Sequence, residues 1–122
     1  MKTAGLTSIV DGAFGSVEAG RDHVARGAKV QSLPQSALRE ISVRARTLTS
    51  ILAEVSPPRF DLFSLDVEGY EVEVLRGLDL ERFAPRYMLV EARNVTAVDE
   101  VLAAHYDRID QLSHHDYLYK KR

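Results

Sequence analysis

Apolar and polar residues follow one another along the chain in an order that predicts strands and helices in turn. Residues 40–47 alternate between apolar and polar side chains, which is the period of a strand with one buried face. Residues 48–55 carry apolar side chains at helical spacing, and Thr47 or Thr49 can cap the start of that helix. The prolines in 56–58 end it. We therefore predict a strand followed by a helix.

The same order recurs twice more towards the C-terminus. Short apolar runs at 60–66 and 86–92 predict two buried strands, the first of them central in its sheet. Helical spacing follows each strand: one helix covers about 70–76, and the other begins at Thr96 as its N-cap. Gly77 fits the left-handed position that often follows a helix end.

The two ends of the chain differ in regularity. Residues 106–112 and 116–120 are strand-like and flank a polar turn, so they predict an antiparallel hairpin. Five glycines interrupt residues 1–35, which predicts an irregular N-terminal segment with room for a short helix around Gly20. The order of elements predicts an α/β domain over residues 36–122, with a mostly parallel sheet closed by the antiparallel hairpin.

Composition narrows the class of protein. The chain has 122 residues, which suits one domain, and its 45% apolar content can form a modest core. A net charge of −2 argues against a nucleic-acid-binding surface. The absence of cysteine excludes disulfides, thiolate catalysis and cysteine zinc sites, and it is compatible with the cytoplasm, where we expect the protein. No apolar run approaches the roughly 20 residues that span a membrane.

Acidic residues follow two of the predicted strands. Asp66 and Glu68 come at the end of one strand, and Glu91 and Asn94 come at the end of the next. Ligands of open α/β sheets bind beyond these carboxyl ends. From spacing alone, Asp66 and Glu68 are best explained as acids that stabilise a helix N-terminus. If the two strands are neighbours, Glu91 lies near Asp66. The two carboxylates would then bind a hard cation or share a proton. An equally good explanation is that Glu91 caps the next turn.

Four segments of the chain together resemble the C-terminal half of FkbM-type methyltransferases. They are "RTLTSILAE", "FDLFSLDVEGYEVEVLRGLDL", "PRYMLVEARN" and "SHHDYLYK". The resemblance covers residues 40–120, and its most specific part is the Asp-x-Glu-Gly-x-Glu pattern at 66–71. It implies a Rossmann-like fold and S-adenosylmethionine-dependent O-methylation of a sugar or natural product, with a small-molecule hydroxyl as the acceptor.

The resemblance also implies roles for the strand-end residues. Glu68 would take the proton from the acceptor hydroxyl, and Asp66 would orient the acceptor or bind a divalent cation. Glu71, Glu91 and Asn94 would bind substrate or support the site, although Glu71 is equally well explained as a solvated helix acid.

Two histidines and one glycine near these acids have simpler explanations. His114 and His115 are adjacent and would point to opposite faces of a strand, so a polar hairpin turn explains them better than a metal site. From that turn His115 could reach an acceptor. Gly69 is expected to allow close backbone approach where strand meets helix.

One part of the family pattern is missing. The glycine-rich turn that holds the cofactor in such enzymes has only a weak counterpart at 11–16, with no predicted strand before it. We therefore expect a truncated member that lacks the cofactor-binding half. By itself, it is not expected to bind S-adenosylmethionine as a full-length relative would. The alternative is a non-catalytic remnant that acts in self-association or partner binding. Loss of half a sheet would leave an exposed edge, which predicts a homo-oligomer.

Overall fold

A computed structural model describes the chain at residues 16–30, 32, 34, 43–57 and 59–122. The chain divides into two compact units, Met1–Arg44 and Ala45–Arg122. Within the described part of the chain, no helix is both long enough and apolar enough to cross a membrane.

The first unit contains a regular helix, α1, at Val17–Val30. The Ser16 hydroxyl accepts a hydrogen bond from the Ala19 amide at 3.1 Å, and Glu18 and Lys29 sit at the ends where they complement the helix dipole. These contacts offset a cost of about 1 kcal/mol for each internal glycine. The helix for which the sequence left room around Gly20 is therefore present, and it is longer than expected; most of the rest of 1–35 lies outside the described residues.

The strand predicted at 40–47 is absent from the residues that can be described there. Residues 43–47 have no regular structure, and Val43 is 77% exposed, so the alternating pattern buries no face. An alternating pattern forms a strand only where a neighbouring strand is available to pair with it. No described strand pairs with residues 43–47. Residues 40–42 lie outside the described part, and so does the predicted boundary between 35 and 36.

The second unit begins with the predicted helix, α2, at Leu48–Val55. The Thr47 side chain accepts a hydrogen bond from the Ser50 amide at 3.2 Å, which confirms Thr47 as the N-cap. Ser56 ends the helix in the left-handed region, with φ of 44°, and its amide donates to the Leu52 carbonyl.

A four-stranded mixed sheet forms the centre of the second unit. Its strands are β1 at Leu62–Leu65, β2 at Tyr87–Glu91, β3 at Tyr106–Gln111 and β4 at Asp116–Lys121, in the order β1-β2-β4-β3. β1 and β2 are parallel, whereas β4 runs antiparallel to both β2 and β3. The α/β class and the hairpin are confirmed. The mostly parallel sheet is wrong, because the hairpin supplies two of the four strands and inserts β4 beside β2.

β1 lies at the edge of the described sheet and is not the buried central strand that its apolar sequence predicts. Leu62 is 58% exposed, and Leu65 is the buried residue of this strand. The core instead lies around β2 and β4. Its most deeply buried members are Met88, Val90, Leu75, Val98, Leu102 and Tyr119.

Two short helices follow β1 and β2: α3 at Glu71–Arg76 and α4 at Val95–Leu102. Asn94 caps α4, since its side chain accepts a hydrogen bond from the Ala97 amide at 3.2 Å. The prediction of Thr96 as this cap is wrong by two residues. Asparagine is at least as good a cap as threonine, and it lies where the chain leaves β2.

Gly77, at the end of α3, does not adopt the predicted left-handed conformation. Its φ is −83°, which any residue can adopt, and the space around its Cα is tight instead. A Cβ atom at this position would lie 3.3 Å from the Val74 carbonyl oxygen and 3.4 Å from Thr47 Cβ. The Gly77 carbonyl also accepts hydrogen bonds from the Thr49 amide and hydroxyl, which join the start of α2 to the end of α3.

We expect Tyr119→Phe to destabilise the second unit by about 1–2 kcal/mol, because the buried hydroxyl donates to Asp99 Oδ1 at 2.8 Å. Tyr117→Phe is the matched control and should cost less, since the Tyr117 hydroxyl makes a 3.3 Å bond to the His114 carbonyl. Urea unfolding measures both. Equal losses from the two substitutions would contradict the importance of the Asp99 bond.

The same tyrosine predicts how stability changes at high pH. Burial and the hydrogen bond to Asp99 raise the pKa of Tyr119 well above its usual value of 10, and burial raises the pKa of Tyr106 to about 12. The folded state therefore keeps protons that the unfolded state loses, so the stabilisation is complete below pH 10 and falls as the pH rises above it. Tyr119→Phe should show a shallower alkaline decline than the wild type.

Candidate active site

Acidic side chains meet at the carboxyl ends of the parallel strands. β1 and β2 are neighbours with Leu65 opposite Val90, so Asp66 and Glu91 are next in register at the same edge, which confirms the predicted adjacency. β4 begins at Asp116 directly opposite Glu91. We call Asp66, Glu68, Glu91 and Asp116 the carboxyl-edge cluster.

The turn between β1 and α3 has an unusual backbone. Glu68 has a φ of 53° and Gly69 a φ of 97°, so two consecutive residues occupy the left-handed side of conformational space. This costs little for glycine, but for a residue such as glutamate it costs about 1–3 kcal/mol, and residues strained in this way cluster at functional sites. The predicted backbone role of Gly69 therefore takes the form of a positive φ.

Glu71 holds this turn from the first position of α3. Its side chain is only 5% exposed, and its Oε1 accepts a hydrogen bond from the Gly69 amide at 2.7 Å. The explanation of Glu71 as a solvated helix acid is therefore wrong. Helical spacing alone predicted that Glu71 faces solvent. Spacing does not show whether a side chain folds back over the preceding turn, as the Glu71 side chain does.

Arg93 contacts the cluster from the β2–α4 connection. Its Nη2 donates to Glu68 Oε2 at 3.0 Å, and the side chains are 47% and 28% exposed respectively. The pair fixes the Glu68 carboxylate while leaving part of it open to solvent or a ligand. Arg93 was not predicted from the sequence, although its position two residues after Glu91 was a usable signal once β1 and β2 were taken as neighbours.

The pKa of Glu91 depends on burial and on the neighbouring carboxylates. Burial raises its pKa above the usual value, and the negative charges of Asp66, Asp116 and Glu68 raise it further, while His115 acts in the opposite direction. Glu91 thus accepts a proton more readily than an exposed glutamate. Asn94, and not Glu91, caps α4, and the explanation of Glu91 as the cap of the turn after β2 stays a prediction.

We expect Glu91→Gln to stabilise the second unit near pH 7 by roughly 0.2–1 kcal/mol, because it removes a like-charge pair across β2 and β4. A raised folded-state pKa means that the folded state binds the extra proton, so the wild type loses stability as pH rises from the unfolded value of about 4.5. The variant should lose less. Glu100→Gln, on exposed α4 surface, is the control; an equal gain there would contradict cluster repulsion.

His115 and Asn94, the other two residues predicted for the site, lie in the connections next to the carboxyl-edge cluster. His115 is exposed in the β3–β4 turn, and its carbonyl oxygen accepts a hydrogen bond from the Ala92 amide at 2.7 Å, which brings the hairpin turn to the cluster. Asn94 uses its side chain as the α4 cap. The roles of Asp66, Glu68, Glu71, Glu91, Asn94 and His115 towards a substrate stay predictions.

A metal centre has less support. Among residues 16–30, 32, 34, 43–57 and 59–122, no group of three or more histidine or carboxylate side chains is arranged to hold a metal ion. The assignment of Asp66 as a metal ligand stays a prediction.

Comparison with known proteins supports the resemblance found in the sequence. The family model described as the methyltransferase FkbM domain matches residues 4–119, so the similarity extends further towards the N-terminus than the four segments that first indicated it. No characterised protein and no solved structure showed significant similarity to the chain. Because the match covers nearly all of the 122 residues, the chain belongs to the FkbM methyltransferase domain family.

Proposed function

We propose that this chain carries the acceptor side of an S-adenosylmethionine-dependent O-methyltransferase that acts on a hydroxyl group of a sugar or natural product. One observation carries the proposal: Glu68 combines a strained backbone conformation with a position at the carboxyl edge of the parallel strand pair, beside Asp66 and Glu91. Strain of this kind persists where the surrounding structure holds it, and such positions cluster at active sites.

Methyl transfer to a hydroxyl group requires a base and correct placement of the acceptor oxygen. S-adenosylmethionine supplies an electrophilic methyl group on a sulfonium, which leaves as a neutral thioether. As the acceptor oxygen forms its bond to the methyl carbon, Glu68 accepts the hydroxyl proton, for which it must lie about 2.6–3.2 Å from that oxygen. Asp66, at the adjoining strand end, orients the hydroxyl.

The carboxyl-edge cluster fits a cationic donor electrostatically. Four carboxylates lie at one edge, with the Arg93 guanidinium against one of them. A positively charged sulfonium placed near this edge would be attracted to the remaining negative charge. The residues that would bind the nucleoside and amino-acid parts of the cofactor are not among those we assign. Truncation of the cofactor-binding half stays a prediction, as does use of a divalent cation, and the proposal takes the chain itself to bind the donor.

A non-catalytic role is the second candidate, and the exposed edge of β1 favours it. In the described sheet β1 pairs on one side only, and Leu62 is largely exposed there. An open strand edge of this kind can pair with a second copy of the chain. The prediction of a homo-oligomer is then the natural consequence.

Isothermal titration calorimetry with S-adenosylmethionine and S-adenosylhomocysteine separates the two candidates. Binding in the micromolar range would support the enzyme. No heat of binding at millimolar ligand, together with an oligomer by light scattering, would favour the non-catalytic role. A monomer that binds the cofactor would exclude self-association as the function.

A further inference from the structure

Glu71 is the one buried charged side chain among the described residues. Removing a carboxylate from water is costly unless hydrogen bonds compensate. Among the residues that the structure describes, no buried side-chain oxygen or nitrogen lacks a hydrogen-bond partner, and the bond from the Gly69 amide at 2.7 Å contributes to this. A buried carboxylate bound to a backbone amide two residues earlier restrains that part of the chain.

The restrained amide belongs to the peptide group that joins Glu68 to Gly69. Fixing the plane of this peptide fixes the ψ angle of Glu68 and the φ angle of Gly69, which is 97°. Tyr70, which precedes α3, makes no side-chain capping bond. The Glu71 carboxylate therefore takes over the restraint of a turn that the capping residue leaves unsupported.

We propose that Glu71 is a positioning residue for Glu68. By accepting the Gly69 amide it locks the left-handed turn from which the Glu68 side chain leaves the backbone, while Arg93 holds the carboxylate itself. This inference rests on the proposed function, in which Glu68 must lie within hydrogen-bond reach of an acceptor hydroxyl. Glu71 acts through Glu68 and makes no contact with the reacting atoms.

The test compares three variants by activity and by nuclear magnetic resonance. Glu71→Leu removes the acceptor and should lower kcat on the order of 10²-fold, with a smaller change in KM, because the base is misplaced. Glu71→Gln keeps an oxygen acceptor and should recover most of the loss. Glu73→Leu, two residues along the same helix with a side chain 44% exposed, is the matched control and should leave kcat unchanged.

The Gly69 amide gives a readout that does not depend on activity. Its hydrogen exchange should be slow in the wild type and the Glu73 control, and faster in Glu71→Leu. If Glu71→Leu does not fold, Glu71→Gln decides: loss of the charge should shift the Gly69 amide resonance upfield, and an unchanged resonance would overturn the inference.

The two readouts also separate this inference from the proposed function. Slow Gly69 exchange in a wild type that never transfers methyl, with faster exchange in Glu71→Leu, would refute the function and leave the positioning role. Full activity in Glu71→Leu beside an inactive Glu68→Gln would refute the positioning role and leave the function.

Discussion

Replacing Glu68 by glutamine is expected to lower methyl transfer by about 10²- to 10⁴-fold, the usual contribution of a general base. Glutamine has nearly the same shape and can still accept from Arg93, so the turn should persist. It cannot take a proton from the acceptor hydroxyl at neutral pH. The loss should therefore appear in kcat, while KM for the acceptor changes little.

Initial rates at saturating donor measure this effect, and Glu73→Gln is its control. Glu73 lies five residues further along the chain and pairs loosely with Arg76 at 3.8 Å, so its loss should leave the rate unchanged. Circular dichroism and thermal unfolding establish that both variants are folded. If Glu68→Gln retained wild-type kcat, the proton would have to go elsewhere, and Glu68 would not be the base.

Leu102→Ala is expected to lower the free energy of unfolding of the second unit by about 2–5 kcal/mol. Leu102 is fully buried at the end of α4, within the cluster that packs on β2 and β4. Truncation removes apolar contacts and leaves a cavity that close-packed neighbours fill only partly. For a small domain this is a large fraction of the total stability.

Leu112→Ala provides the comparison for the core substitution. Leu112 is 57% exposed just after β3, so its truncation should change the free energy of unfolding by no more than about 0.5 kcal/mol. Urea unfolding with a constant m-value would measure both. Equal shifts would mean that α4 does not pack on the sheet as described.

Local signals in the sequence predicted the elements whose partners are near in the chain. α2 was predicted from its apolar spacing, its threonine cap and the prolines after it, and the structure confirms the helix and its cap at Thr47. The β3–β4 hairpin followed from two strand-like runs around a polar turn. Such features depend on residues a few positions apart, so one sequence contains them.

Features that depend on distant partners were not predictable in the same way. The period-2 pattern at 40–47 gave no information on whether another strand would pair with it, and residues 43–47 form none. The apolar run at β1 looked central, but its position depends on where the hairpin inserts. Burial of a strand is a property of the whole sheet, which its own residues do not encode.

The candidate site shows the same division. The resemblance pointed to Asp66 and Glu68, and the parallel pairing of β1 with β2 confirms that Glu91 is next in register. Arg93 and the buried position of Glu71 were missed, since both depend on how side chains fold back over the strand ends. Asp116 joins the cluster only because β4 lies beside β2.

Transfer of an isotopically labelled methyl group shows directly whether the chain methylates a hydroxyl group. The full chain would be incubated with S-adenosylmethionine carrying a ¹³C methyl group and a mixture of sugars and polyols, and carbon resonance spectra recorded over time. We expect a methyl-ether signal to grow as the sulfonium methyl signal declines. Label that stays on the sulfonium, with donor binding established separately, would contradict the proposed methyl transfer.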